Sequence, residues 1–216
     1  VYGCTESCPI AVHQTAEGIK QGAGTVGHGA LYTDVQAQDD TGSELGAGKE
    51  GEIALRGPNI MSHYWNDEEA TRAAFRDGWL LTGDIGFRDK NGRLHVTGRK
   101  KQLIISGGEN IHPAEIERVL ESHPGIAEAA VIGISDPQWD EVPVAVVVAD
   151  VEKDEIQSYL NRQLGKYKHP RHILFTDRLP RTALDKVAYA EVSEFVAGKL
   201  AEPAPRSTYR HPRVDQ

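Results

Sequence analysis

The stretch GWLLTGDIGFRDKNGRLHVTGRKKQLIISGGENIHPAEIE, residues 78–117, contains most of the signals that indicate the fold. Within it, two strand-like runs flank Asn91-Gly92, a dipeptide typical of tight hairpin turns. Residues 101–111 predict a further strand that ends in a Gly-Gly loop. Residues 112–125 then predict a helix, because a proline suits its first turn and apolar residues recur at helical spacing. We therefore expect a β-hairpin, a strand and a helix in succession.

Both flanks of this stretch carry strand and helix signals of their own. Upstream, residues 51–57 alternate between apolar and polar like a strand, and residues 66–75 open with a capping-box spacing around Asn66. Downstream, the predicted elements are two strands, a helix, a strand and a last helix, at residues 126–135, 142–150, 153–165, 171–176 and 189–200. The second of these strands is apolar on both faces, which predicts a central position in its sheet.

The order of elements predicts an α+β fold in two unequal parts. After residue 100 the order β-α-β-β-α-β-α suits a compact domain of about 100 residues. Before residue 99 the strands are short and interrupted by loops, and they do not make an obvious core of their own. We place the boundary at Arg99 to Lys101 and expect the second domain to span residues 100–200. Residues 201–216 contain three prolines and no apolar periodicity, so we expect a disordered tail.

Composition narrows the classes of function. The chain has 216 residues and a formal net charge of −8, and an acidic chain without a Lys/Arg-rich run is a poor candidate for binding nucleic acid. Its longest apolar run, residues 142–149, is far shorter than the ~20 residues that cross a bilayer. Cys4 and Cys8 lack the partners of a zinc site or a disulfide framework and fit a reducing compartment. We therefore expect a cytoplasmic protein without a membrane span.

Several short motifs carry polar residues suited to chemistry. The opening YGCTE places Glu6 where it could hold Mg²⁺, an ion that prefers oxygen ligands. Asp84 could accept both hydroxyls of a ribose, and Arg99, at a strand end, could bridge a ribose or phosphate. The glycines of SGGEN allow a backbone to approach a ligand closely, and Lys186 stands alone in a proline-anchored turn. Each motif alone also fits an ordinary turn, a cap or a solvated charge; their order and spacing together indicate a site.

In this order the motifs resemble those of the adenylate-forming superfamily, which includes acyl-CoA synthetases, peptide-synthetase adenylation domains and luciferases. The resemblance covers residues 2 to about 195 and rests on YGCTE, GEIALRGPNIMSHYWNDEEAT, GWLLTGDIG, GRKKQLIISGGENIHPAEIE, LGKYKHPRHILFTDRLPRT and LDK. The phosphate loop and acid pocket of such enzymes precede the YGxTE motif and are not in this sequence. The chain thus resembles their C-terminal part. Residues 1–99 would be the last subdomain of the truncated large domain, and residues 100–200 the mobile lid.

The resemblance implies an ATP-dependent ligase that activates a carboxylic acid as acyl-AMP and transfers it to the thiol of coenzyme A. ATP, Mg²⁺ and CoA would take part, and the missing N-terminal domain of the same enzyme would be a partner. The loop SGGENIHPAEIE is most similar to the acyl- and aryl-CoA ligase branch. The alternatives are an adenylation domain acting on a carrier protein and a non-catalytic fragment or lid module. The acid, whether fatty, aryl or other, stays open, and the isolated chain would be inactive.

The resemblance also implies roles for individual residues. Lys186 falls on the catalytic lysine, Glu6 would hold Mg²⁺, and Lys101 occupies the hinge position. The residues that would bind nucleotide or leave room for the pantetheine arm of CoA are Tyr2, Gly3, Thr5, Asp84, Val96, Arg99, Gly107 and Gly108. One departure stands beside the lysine: the family commonly has glycine at position 185, where this chain has Asp185. This carboxylate would either partly neutralise Lys186 or demand a different turn.

Two half-reactions at one site imply a moving lid. The SGGEN loop would replace Lys186 at the active site for thioester formation. Three basic residues, Lys166, Lys168 and Arg171, could meet the phosphates of CoA, although a solvated basic helix end explains them equally well.

Overall fold

The structure, a computed structural model, describes residues 1–21 and 24–201. The strands are β1 (Val12–His13), β2 (His28–Gly29), β3 (Asp34–Gln38), β4 (Gly51–Arg56), β5 (Phe75–Arg76), β6 (Trp79–Arg88), β7 (Leu94–Arg99), β8 (Ile104–Ser106), β9 (Glu109–Ile111), β10 (Ile126–Asp136), β11 (Asp140–Ala149) and β12 (His172–Phe175). The helices are α1 (Ala16–Gln21), α2 (Glu68–Ala74), α3 (Pro113–Glu121), α4 (Lys153–Gln163) and α5 (Tyr189–Ala201). The predicted α+β fold is confirmed. The predicted tail lies outside the described residues, except for Ala201, which ends α5.

Strands β3 to β7 form the first sheet, in the order β3-β4-β6-β5 with β7 paired to β6. Strands β6 and β7 are the predicted hairpin, and their register sets Asp84 opposite Arg99. Asp89 closes the turn by accepting hydrogen bonds from the backbone N–H groups of Asn91 and Arg93. Of the Asn-Gly pair, Gly92 adopts a positive φ of 77°. The hairpin therefore brings together two of the side chains that the sequence predicts to bind a ligand.

The first sheet has an apolar core that its short, interrupted strands did not make obvious in the sequence. The buried apolar residues of this core are Ala11, Val12, Val35, Ile53, Leu55, Leu80 and Leu94. They come from five separate segments of the chain, which is why no single segment predicted them. Cross-strand neighbours such as Leu55 and Leu80 meet only when the strands pair.

Strands β8 to β12 form the second sheet. Its central strand is β11, as its apolar sequence predicts, because β11 pairs with β10, with β12 and, at one position, with β8. Alternate residues of β11 point to opposite faces. Ala145 and Val147 pack with α3 and α4, whereas Val144 and Val146 pack with α5. Across residues 1–21 and 24–201, no helix is long and apolar enough to cross a membrane.

Two local predictions need correction. The helix predicted over residues 66–75 has Asp67 rather than Asn66 as its N-cap, because the Asp67 side chain accepts a hydrogen bond from the Ala70 N–H at 2.9 Å. The strand predicted over residues 101–111 is instead a hairpin of β8 and β9. Its turn is Gly107-Gly108, whose φ angles of 57° and 85° reverse the chain direction.

The two parts of the chain contact each other next to the predicted boundary. Lys100 lies between two carboxylates of the first part, 3.2 Å from Asp40 and 3.0 Å from Glu52. His112, at the start of α3, packs on Gly98, where a Cβ atom would come within 2.9 Å of the imidazole Nδ1. These contacts give the two parts a defined arrangement in this structure.

Candidate active site

A buried carboxylate, Asp84, is the centre of the polar cluster on the first sheet. The residue is 7% exposed. The Tyr2 hydroxyl donates a hydrogen bond to Asp84 Oδ2 at 2.8 Å, and Arg99 Nε lies 3.2 Å from Oδ1. We call these three residues the Asp84 cluster. A carboxylate offers about four lone-pair positions, so Asp84 can still accept hydrogen bonds from two neighbouring hydroxyls of a ligand.

Tyr2 is held as a neutral hydrogen-bond donor. Burial raises the pKa of the Tyr2 hydroxyl far above its ordinary value, and the negative charge of Asp84 adds to this effect. The backbone N–H of Tyr2 also donates to the Val12 carbonyl at 2.9 Å, which ties the start of the chain to β1. The position of the hydroxyl is therefore defined by both its backbone and its carboxylate partner.

Gly3 has a steric reason to be glycine. A Cβ atom at this position would come within 1.8 Å of the Pro9 carbonyl oxygen. Glycine lets the two backbone segments cross, and this accounts for Gly3 without a ligand. Its predicted role in nucleotide binding stays a prediction.

The YGCTE motif continues into a short 3-10 turn, Thr5–Ser7. Thr5 is exposed, which leaves its hydroxyl accessible to a ligand. Glu6 accepts a hydrogen bond from the Tyr64 hydroxyl at 2.9 Å. Its own backbone N–H, followed by the Tyr64 hydroxyl, lowers the pKa of the Glu6 carboxyl, which therefore stays charged at neutral pH. Sequence reasoning missed Tyr64, because no local pattern links it to a residue 58 positions earlier.

The Glu6 carboxylate is suited to be one of the ligands of a magnesium site. In the described part of the chain, no group of three or more His, Cys, Asp or Glu side chains could hold a metal ion. Mg²⁺ usually keeps several waters and is bound through one or two carboxylates plus substrate phosphates. A single charged carboxylate beside a candidate phosphate site is compatible with that mode of binding.

Lys186 lies in an exposed turn between β12 and α5. The Thr182 N–H donates to the Lys186 carbonyl at 2.7 Å, and the Lys186 N–H lies 3.3 Å from the Thr182 hydroxyl oxygen. We call residues 181–187 the Lys186 turn. Asp185 adopts a left-handed φ of 60°, the region that favours glycine.

The carboxylate of Asp185 does not pair with Lys186. It lies 3.7 Å from Arg181 Nε, and the Arg181 guanidinium also donates to the Asp185 carbonyl at 2.7 Å. Among residues 1–21 and 24–201, the Lys186 ammonium makes no ion pair. Asp185 thus adopts the left-handed φ that glycine favours, and its carboxylate does not neutralise Lys186.

The Gly-Gly turn has an aromatic neighbour that the sequence analysis did not identify. The Gly107 N–H donates to the Trp139 carbonyl at 2.9 Å, and a Cβ atom on Gly107 would come within 2.6 Å of the Trp139 ring. Gly108, by contrast, faces open space. The turn thus holds one glycine against a ring and leaves the other accessible.

A cavity of about 270 Å³ opens beside this turn. Its lining combines two aromatic rings, Trp139 and Tyr167, with two cationic side chains, Lys166 and Arg171. The third predicted CoA contact, Lys168, is instead held by Glu115, whose oxygens lie 2.7 and 2.6 Å from its ammonium. The cavity can accept a flat ring and an anionic group together.

The remaining predicted residues make no side-chain hydrogen bond or ion pair with the Asp84 cluster among the described residues. Val96 packs against the first core and also lines a cleft between the two parts. Lys101 is exposed and lies in a 3-10 turn, Lys100–Gln102. In the portion that the structure describes, no hydrogen bond or ion pair joins the Asp84 cluster to Lys186 or to the Gly-Gly turn. The structure therefore brings together three predicted residues and leaves the lysine and the glycines elsewhere.

Comparison with known proteins identifies the family. A family model described as AMP-binding enzyme matches residues 1–65, and one described as AMP-binding enzyme C-terminal domain matches residues 115–186. An indoleacetate–CoA ligase of Aromatoleum aromaticum is 45% identical over 203 residues, which are 92% of this chain and 40% of that protein. A feruloyl-CoA synthase of an Amycolatopsis species is 43% identical over 88% of this chain and 40% of its own length.

The solved structures that are similar to this chain also include a CoA synthetase. The o-succinylbenzoate CoA synthetase of Bacillus subtilis, in complex with an acyl-adenylate intermediate, has a TM-score of 0.85 at 41% identity and covers 88% of this chain and 40% of its own. The same enzyme with ATP and magnesium has a TM-score of 0.84 at 41% identity, over 89% and 40%. This chain spans about 40% of the length of these relatives. It belongs to the family of AMP-binding, adenylate-forming enzymes.

Proposed function

We propose that this chain provides the ribose-binding edge and the mobile lid of an acyl-CoA ligase. The whole enzyme would activate a carboxylic acid with ATP as acyl-AMP and then transfer the acyl group to CoA. The observation that carries this proposal is the Asp84 cluster, a buried carboxylate held by a tyrosine and an arginine, in a chain whose relatives are CoA ligases. The boundary near Arg99 to Lys101 would separate the nucleotide-binding part from the lid, and the lid would turn about Lys101.

The Asp84 cluster would bind the adenosine part of ATP. Asp84 would accept hydrogen bonds from the two ribose hydroxyls, and the exposed Arg99 guanidinium would donate to the ribose. Tyr2, fixed by its bond to Asp84, would lie along the adenine, and Val96 would pack near the base. Because these groups are already paired in the folded chain, little reorganisation is needed when the nucleotide binds.

The acidic turn after Tyr2 would bind the phosphate end of ATP. Thr5 would donate to a phosphate oxygen. Glu6, oriented by Tyr64, would hold Mg²⁺, which when bound would neutralise charge on the phosphate oxygens.

The Lys186 ammonium would act in the first half-reaction. An oxygen of the acid forms a bond to the α-phosphorus of ATP while the bond to pyrophosphate breaks. Catalysis of such displacement is mainly positioning and stabilisation of charge. An ammonium without a carboxylate partner keeps its full charge for the α-phosphate oxygens, and its field is strongest where water is excluded.

The Gly-Gly turn would serve the second half-reaction. Gly108 faces open space and would leave room for the pantetheine arm, whose thiol displaces AMP from the acyl carbonyl. Lys166 and Arg171, in the neighbouring cavity, would bind CoA phosphates beside its two aromatic rings. The turn and the lysine are linked to opposite edges of the second sheet: β8 and β9 form one edge, and Arg181 ties the Lys186 turn to Glu128 on β10, at the other. A rotation of the lid would exchange them. The free thiols of Cys4 and Cys8 support a cytoplasmic setting.

The proposal is tested by fusing this chain to the part of the B. subtilis o-succinylbenzoate CoA synthetase that it does not cover. We expect the fused enzyme to release pyrophosphate from ATP when o-succinylbenzoate is present, and to release AMP when CoA is added. Arg99→Ala should raise the KM for ATP roughly tenfold, the effect of one charged hydrogen bond. The matched exposed variant Arg72→Ala should leave it unchanged.

Two outcomes would count against the proposal. A folded fusion that releases no acid-dependent pyrophosphate would remove the assignment of this chain to a ligase. Robust pyrophosphate release by the isolated chain would equally contradict it, because the chain spans only about 40% of its relatives.

A further inference from the structure

We propose that Arg181 is a positioning residue for Lys186, because it holds the Lys186 turn at the Asp185 carbonyl and ties the turn to β10. This inference rests on the proposed role of Lys186 in acyl-AMP formation. It assigns to the first residue of the Lys186 turn a task that the sequence alone does not indicate.

The Arg181 guanidinium makes contacts in two directions. On one side, Nη1 donates to the Asp185 carbonyl at 2.7 Å, and Nε lies 3.7 Å from the Asp185 carboxylate. On the other side, Nη2 lies 2.9 Å from Glu128 Oε1 on β10. A guanidinium presents its donors in a rigid planar fork, so both contacts are held by one group. The turn is thereby tied to a strand of the second sheet.

The conformation of Asp185 explains why this support matters. A residue with a Cβ atom in the left-handed region is strained, and such strain persists only where the surroundings fix it. The carbonyl that Arg181 binds belongs to the strained residue itself. A bridge between Arg181 and Val187 and the two hydrogen bonds between Thr182 and Lys186 close the rest of the turn. Arg181 therefore stabilises the one residue whose backbone sets the direction of Lys186.

Glu128 supplies the anchor. One of its oxygens bonds Arg181, and the other is buried without a hydrogen-bond partner among the described residues. The Glu128 side chain as a whole is 36% exposed, so this contact is an ion pair at the protein surface that ties the turn to β10. Beyond the turn, the Tyr189 hydroxyl donates to Glu117 at 2.8 Å and fixes the start of α5 to α3. The turn is therefore held at both ends.

The first test uses this chain itself and measures amide hydrogen exchange. Arg181→Ala should speed the exchange of the Thr182 and Lys186 amides by about three- to tenfold, the effect of losing one charged hydrogen bond and a surface ion pair. The Val192 amide, within α5, should be unchanged. Arg178→Ala removes an exposed arginine from the same loop and should have no effect on any of the three amides.

Rescue makes the test specific. In the double variant Arg181→Ala, Asp185→Gly, glycine adopts the left-handed conformation without strain, so the two turn amides should return toward the wild-type rate. The inference is overturned if Arg181→Ala leaves the turn amides unchanged, if it speeds the Val192 amide equally, or if glycine at 185 rescues nothing.

The second test separates positioning from folding in the fused enzyme. Arg181→Ala should slow single-turnover acyl-AMP formation about tenfold while the KM for ATP stays the same, and glycine at 185 should restore the rate. Thioester formation from supplied acyl-AMP should be unaffected. Equal slowing of both half-reactions would indicate a merely structural role and overturn the inference. If the wild-type fusion made no acyl-AMP, the proposed function would fail, and amide exchange would still decide whether Arg181 positions the turn.

Discussion

The Asp84 cluster and the Lys186 turn each hold a charged side chain that the sequence predicts to act on a ligand, but they hold it in opposite ways. Asp84 is buried and bonded by residues that lie 82 positions before it and across the hairpin after it. Lys186 is exposed, and its turn is closed by residues within a few positions of it. The first charge is therefore built into the fold, whereas the second is carried on a local turn of the proposed lid. This difference suits the proposed closing lid, in which one half of the site would be preorganised and the other delivered.

The largest expected effect tests whether the Asp84 cluster is part of the fold. Asp84→Ala removes the carboxylate that accepts the hydrogen bond of the half-buried Tyr2 hydroxyl and pairs with Arg99. We expect it to lower the free energy of unfolding by about 3 kcal/mol, measured by urea denaturation. Lys186→Ala removes the other charge and should change it by less than about 0.5 kcal/mol, as for an exposed side chain. Equal effects of the two substitutions would erase the contrast between the two regions.

A smaller effect is expected at the turn that sets the register of Asp84 and Arg99. Burial alone would raise the pKa of Asp89, but hydrogen bonds from Arg93, through its backbone and side chain, and from His95 outweigh it and hold the pKa far below its usual range. A carboxyl whose pKa is lower in the folded than in the unfolded state adds stability above its unfolded pKa of ~3.9. That stability is lost as the pH falls through the folded value.

Asp89→Asn should therefore cost about 2 kcal/mol of unfolding free energy at pH 7. The gap between variant and wild type should narrow steadily below about pH 4, the unfolded pKa range of Asp. The exposed Asp177→Asn serves as the control and should show neither the cost nor the pH dependence. A cost at Asp89 that stayed constant between pH 7 and pH 3 would contradict the assigned cause.

The smallest effect sharpens the role of Tyr2. Tyr2→Phe removes only the hydroxyl that donates to Asp84 and should cost about 1 kcal/mol, the usual net value of one hydrogen bond. Tyr32 is 75% exposed, so Tyr32→Phe should be neutral in the same urea titration. If the two phenylalanine variants were equally stable, the Tyr2–Asp84 bond would not be holding the start of the chain.

Local signals predicted most of this molecule from its sequence. The β6–β7 hairpin follows from Asn91-Gly92 between alternating runs, and that hairpin alone is enough to set Asp84 opposite Arg99. The central place of β11 follows from its apolar residues on both faces. Residues 78–117 and their flanking motifs also carried the resemblance to the family that the comparisons confirm.

Long-range contacts were beyond the sequence. The first core joins residues such as Val12, Ile53 and Leu94, which come from segments far apart in the sequence and meet only when the strands pair. The Tyr64–Glu6 hydrogen bond could not be predicted either, because it joins residues that are 58 positions apart. The partner of Asp185 could not be foreseen either, because its left-handed backbone turns the carbonyl toward Arg181 and not along the chain. Sequence pattern identifies which residues are polar; the fold decides which of them meet.

The central proposal is a lid that uses Lys186 in the first half-reaction and the Gly-Gly turn in the second. Its most direct test is the single-turnover rate of each half-reaction in the fused enzyme. Lys186→Ala should slow acyl-AMP formation by roughly 10²–10³, the loss typical of one preorganised donor, and leave thioester formation from supplied acyl-AMP nearly intact. Gly108→Leu should do the reverse. The controls are Lys153→Ala, an exposed lysine in the second part of the chain, and Gly48→Leu, at a glycine with a similar φ of 80° and open surroundings. Slowing of the same half-reaction by Lys186→Ala and Gly108→Leu to the same extent would contradict the account.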